Sequence, residues 1–94
     1  MGLMDFIEGA YNQAKGKRDD IRAEAESMSI EQICSRLKNC HEVIKTTGYM
    51  GVLIEKAEEL SDWELKELYK EQYRIKNVYA VQALRSVLEE RGSL

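Results

Sequence analysis

Residues 61–92, SDWELKELYKEQYRIKNVYAVQALRSVLEERG, form one helix-favouring run with a start signal and a stop signal, and this run constrains the fold most. Ser61 and Glu64 make an S-x-x-E capping box, in which each side chain satisfies a backbone N–H at the helix start. Leu60 and Leu65 are placed to close that start as a hydrophobic staple. Arg91 in the last turn and Gly92 just beyond it mark the stop. No proline occurs anywhere in the chain, and no glycine interrupts the run before Gly92. Unbroken, it would span roughly 45 Å at ~1.5 Å per residue. A compact domain of this size has a radius of gyration of only ~13 Å. Such a rod is too long for the rest of the chain to cover.

The apolar side of the rod changes along its length. At about 100° per residue, Leu65, Leu68, Gln72, Ile75 and Tyr79 gather on one side. Val78, Val81, Leu84 and Leu88 lie on a side rotated from the first by more than about a third of a turn. The switch falls at Lys76-Asn77. Either the helix kinks or turns there and folds its second half onto the body, or it stays straight and buries its two faces against different neighbours. The second arrangement makes Val78, Val81, Leu84 and Leu88 an oligomer interface. The expected state is then a homodimer or higher homo-oligomer.

The 94 residues suffice for one helical domain, 1–94, and not for two. Hydrophobic residues at 44% and charged residues at 33% suit a globular chain rather than a disordered one. Nothing alternates with a strand period, so the expected class is all-α. Four helices are expected, over roughly 3–27, 30–47, 49–60 and 62–91, in a small bundle with long first and last members. The longest uncharged run, from Thr46 to Ile54, is too short for a bilayer. Asp5 and Glu8 stand where a signal peptide would carry positive charge, so a cytoplasmic protein without a membrane span is expected. The net charge of −3 disfavours direct nucleic-acid binding through phosphate neutralisation.

In the first segment, Leu3, Ile7, Ala10, Ala14, Ile21, Ala25 and Met28 form a narrow stripe at helical spacing. Lys17 and Arg18 wet that stripe beside Gly16, so residues 3–27 form either one helix or two joined at KGKRDD. Phe6 and Tyr11 widen the early face, and Leu3, Phe6, Ile7 and Tyr11 are a candidate partner-binding surface. Ser29 opens the next helix through the capping box S-I-E-Q, with Ile30, Ile33, Cys34, Leu37, His41 and Ile44 as its apolar stripe. Gly48 is expected to end it. A short helix then follows, with Tyr49, Met50, Leu53, Ala57 and Leu60 inward.

Chemistry-bearing patterns are sparse. The single histidine, His41, shares a predicted helix face with Cys34, but a structural zinc site needs four ligands in paired spacing. Cys34 and Cys40 are too far apart on one helix for a disulfide, and free thiols suit a reducing compartment. No phosphate-binding glycine loop, nucleophile elbow or cofactor signature occurs. No metal, no cofactor and no catalysis are expected. The aromatics carry the binding signal: Trp63, Tyr69, Tyr73 and Tyr79 lie along the last helix, and tyrosine buries much area at low rotamer cost. Tyr69 and Tyr73 are therefore a second candidate partner-binding surface, with Tyr73 the aromatic expected to be most exposed.

Arg36-Leu37-Lys38-Asn39-Cys40, then Ile54-Glu55-Lys56, then Glu59-Leu60-Ser61-Asp62-Trp63-Glu64-Leu65 and Leu68-Tyr69 follow an order of motifs that resembles the Hha/YmoA family of small helical modulators. That family's pattern is similar to R-L-R-x-C, I-E-K and E-L-S-D-x-E-L followed by F-Y. The resemblance covers residues 36–75, with a gap before Ile54, and the first helix has no counterpart in it. It implies a modulator of transcription that binds an H-NS-type protein. The family's partner-linked Asp falls near Gln72 or Tyr73. Taken together, the residues point to a non-catalytic helical protein-protein interaction module, acting as adaptor, modulator or inhibitor. An oligomer that sequesters a small ligand between subunits is the alternative from another class.

Overall fold

The computed structural model describes residues 19–93. They form an all-α bundle of five helices: residues 19–26 (α1), Ile30–Lys38 (α2), Val43–Ala57 (α3), Asp62–Arg74 (α4) and Val78–Glu90 (α5). The candidate surface Leu3, Phe6, Ile7 and Tyr11 lies outside the described residues, as do residues 15–18 of KGKRDD, whose last two residues begin α1. Helix α5 is central and packs against α2, α3 and α4. Its Ala80, Ala83, Leu84, Val87 and Leu88 recur at steps of three and four, so they share one face, and all are buried. That face meets Ile33, Cys34 and Leu37 of α2, Val52 and Leu53 of α3, and Leu65 of α4 in one core.

Helix α1 closes the bundle against α3. Ala25 is fully buried, Arg22 pairs with Glu55, and Lys56 Nζ donates to the Glu26 carbonyl at 3.1 Å. A Cβ at Gly51 would sit 2.7 Å from Arg22 Nη1, the movable end of that side chain. At the opposite end, Arg91 Nη1 donates to Asp62 Oδ1 at 2.9 Å and Nη2 to the Glu58 carbonyl at 2.7 Å, fastening the end of α5 to the α3–α4 corner.

Residues 62–91 are not one rod. Helix α4 stops at Arg74, and α5 starts afresh at Val78. Lys76 adopts the left-handed conformation at φ 60°. The Asn77 N–H reaches back to the Gln72 carbonyl at 2.9 Å and the Lys76 N–H to the Tyr73 carbonyl at 3.1 Å, a Schellman closure. The Asn77 side chain holds the turn to the body: its Nδ2 donates to the Cys34 carbonyl at 2.7 Å and to Gln72 Oε1 at 2.8 Å. Folding back is thus the arrangement adopted, and it resolves the rotated apolar faces within a single chain. Leu84 and Leu88, expected at an oligomer interface, belong to the core instead. Val81 is half-buried and Val78 exposed. The uncovered rod from which assembly was expected is therefore absent.

A lysine in the left-handed region carries a backbone penalty that glycine escapes. Lys76→Gly is therefore expected to raise stability by about 0.5–1 kcal/mol. Lys76→Val is expected to lower it, and chemical denaturation of both variants checks the pair.

Helices α2 and α3 also depart from the expected bounds. The expected helix 30–47 ends at Lys38, and the expected stop at Gly48 lies inside a helix that starts at Val43. The cause is packing. Gly48 is buried along with Thr46, Tyr49, Val52 and Leu53 on the inner side of α3. In the elbow between the helices, Thr46 Oγ1 donates to Cys40 Sγ at 3.2 Å, and the Cys40 thiol points to the Glu42 carbonyl at 3.6 Å. His41, expected on an apolar helix edge, sits exposed in this elbow.

Candidate functional site

Helix α4 buries little of itself: only Leu65 and Gln72 of its thirteen residues are buried. Its start is set locally. The Glu64 N–H donates to Ser61 Oγ at 3.2 Å, and the Ser61 N–H donates to Glu64 Oε1 at 3.3 Å. That phase turns Trp63, Lys66, Lys70, Tyr73 and Arg74 away from Leu65, since residues three, four and seven apart share a side. Trp63 is 73% exposed and Tyr73 63% exposed, so two large rings stand in solvent on the outer side of one helix.

Tyr69 and Tyr73 lean together with ring centroids 6.1 Å apart at 40°, within the range of favourable tilted pairs. Tyr69 is half-buried, and its hydroxyl accepts from Arg85 Nη2 at 3.1 Å, which ties the pair to α5. That phenol holds the Arg85 guanidinium above its ordinary range. Arg74 donates Nε and Nη2 to the Glu71 carboxylate at 3.1 and 2.6 Å. The shared hydrogen bond lowers the Glu71 carboxyl and raises the Arg74 guanidinium. Lys70 Nζ lies 3.6 Å from Glu67. The surface is therefore aromatic at its centre and charge-balanced along its edge, a composition suited to protein contact.

Of the residues expected to bind a partner, Tyr73 is exposed and Tyr69 half-buried beside it. Trp63 is more exposed than Tyr73, against the expectation. Its place in the first turn, two residues before the buried Leu65, carried that signal. Val43, 80% exposed, was also missed, because residue 43 was expected inside a helix that ends at Lys38.

Cys34 and His41 share no helix, and among the described residues no three His, Cys, Asp or Glu side chains gather as metal ligands. Both cysteines are free. Burial, aided by the charge of Glu31, pushes the Cys34 thiol up to about 11. At pH 8 its thiolate is then about a hundredfold scarcer than at the ordinary value. Iodoacetamide on the folded chain is expected to label Cys40 and spare Cys34, and peptide mass spectrometry after a timed quench reads the ratio. A raised thiol also makes stability fall as pH climbs from 9 towards 11, since the unfolded chain releases that proton first.

No described helix is long and apolar enough to cross a membrane. Comparison with protein-family models, curated proteins and solved structures gave no match.

Proposed function

We propose that this protein is a non-catalytic interaction module that presents the outer face of α4, centred on Trp63 and Tyr73, to a protein partner. The exposure of those two rings carries the reading. Buried tryptophan and tyrosine dominate interface energetics because they remove much area from water at little entropic cost. Here both are already oriented by a capped helix, so docking would require little further ordering. The partner-linked position of the Hha/YmoA resemblance falls at Gln72 or Tyr73. Gln72 is buried and committed to Asn77, which leaves Tyr73 facing outward. An H-NS-type partner at this same face is therefore the second reading.

The test is capture from lysate of the source cell on the immobilised full chain, followed by titration of the captured protein. Replacing Trp63 and Tyr73 together with alanine is expected to weaken binding at least a hundredfold, since interface anchors contribute ~2 kcal/mol or more each. The thermal midpoint should hold, because both side chains are exposed. Undiminished binding by the double variant refutes the face. Light scattering tells whether the partner is a second copy, and the identity of the captured protein decides the H-NS-type reading.

A further inference from the structure

Helix α3 presents an uncharged stripe to the outside: Val43, Thr47, Met50, Gly51 and Ile54 recur at steps of three and four, and none is fully buried. Val43 is 80% exposed. The one polar side chain in the stripe is already satisfied, because Thr47 Oγ1 donates to the Val43 carbonyl at 2.8 Å. Lys45 is the only charged residue between Val43 and Ile54. The outer sides of α4 and α5 differ, carrying Lys66, Lys70 and Arg74 on one and Arg85 and Glu89 on the other. A helix with apolar residues on every side belongs in an interior, so α3 lacks a neighbour on this side among the described residues.

The stripe borders a groove of about 240 Å³ between α3 and α5, open to solvent and walled by Val43, Thr47, Met50, Tyr79 and Gln82. On its other flank lies α1. Asp20 and Ile21 share a wall with Ile44 and Lys45 at the first turn of α3, while Glu26 meets Lys56 near its last turn. Helices α1 and α3 therefore run in the same direction, and the described chain begins beside the first turn of α3.

Eighteen residues precede that point. Their apolar positions Leu3, Ile7, Ala10 and Ala14 cover the same span in sequence as Val43 to Ile54, about 16 Å at helical rise. At helical period Asp5, Glu8 and Asn12 fall on the side opposite that stripe. We infer that residues 3–14 fold back over the outer face of α3 in the same chain, antiparallel to it, with Ala14 towards Val43 and Leu3 towards Ile54. Residues 15–18 can reach ~13 Å, enough to cross to a helix axis ~8–10 Å away. Ala10 and Ala14 leave room for a close approach at the Val43 end. So short a tether holds the segment at roughly millimolar effective concentration, which favours it over a second copy at micromolar concentration. The groove is separate from the outer face of α4, which stays free.

A nitroxide on Gln82→Cys, in a full chain carrying Cys40→Ser, tests the inference by broadening nearby amide signals. The amides of residues 3–14 are expected to lose most of their intensity. Adding Ile7→Asp should raise the surviving intensities at least threefold while the Leu84 amide signal holds its place. Ser86→Cys, one turn further along α5, carries the label if the first variant does not fold. A mixture of nitroxide-bearing unlabelled chains with isotope-labelled chains free of nitroxide should show no broadening. Broadening in that mixture makes a second copy the occupant and overturns the inference. Unbroadened signals in both samples overturn it as well, as they would if residues 3–14 continued α1 in a straight rod. Trp63 and Tyr73 take no part in this contact, so it and the α4 face can fail separately.

Discussion

Asn77→Ala is expected to lower stability by about 2 kcal/mol, the two lost bonds outweighing relief of the buried, unpartnered Oδ1. Asn77 is 1% exposed and is the link by which the α4–α5 turn reaches α2. Removing its amide deletes the bonds to the Cys34 carbonyl and to Gln72 Oε1, two acceptors that water cannot readily reach. A stranded buried acceptor costs ~1–3 kcal/mol beyond the bond itself. Urea denaturation with an unchanged slope measures the loss. The cause can be isolated by adding Gln72→Ala, which removes one of the stranded acceptors. The double variant should then lose clearly less than the two single losses combined, by about 1 kcal/mol. A loss under about 0.5 kcal/mol for Asn77→Ala would show that the turn is held by its backbone alone.

Leu84→Ala is the second large effect, an expected loss of about 3 kcal/mol. Leu84 is fully buried on the face of α5 that meets three other helices. Truncation therefore leaves a cavity among Leu, Ile and Val side chains that have little room to collapse. Val78→Ala on the same helix should stay within about 0.5 kcal/mol, since Val78 is exposed. Protein concentration separates a core from an interface. A residue buried within one chain gives a loss independent of concentration, whereas one buried between copies gives a midpoint that climbs with concentration. A parental midpoint that climbs in this way, with the climb abolished by Leu84→Ala, would return Leu84 to an interface.

Much of the local structure was legible in the residues alone. The capping boxes at Ser29 and Ser61 form with both reciprocal hydrogen bonds. Gly92 ends α5 at φ 68° with a Schellman closure through Ser93. The all-α class followed from period and composition, and the exposure of Tyr73, though not its rank below Trp63, from its place between two apolar faces. These features rest on contacts three to five residues apart, which a linear reading can reach.

What the tertiary structure decided is where helices stop in mid-pattern. Lys76 takes a left-handed conformation that no lysine signals, and it is held there by Asn77 bonding a carbonyl 43 residues away in sequence. Gly48 continues a helix it was expected to end, buried with Thr46, Tyr49, Val52 and Leu53 on the inner side of α3. The elbow at 39–42, and the cavity it opens, exist only because α2 stops at Lys38 and α3 starts at Val43, six residues before the expected start at Tyr49. In each case the winning term is packing between segments distant in the chain, and a helix propensity of a few tenths of a kcal/mol per residue cannot register it.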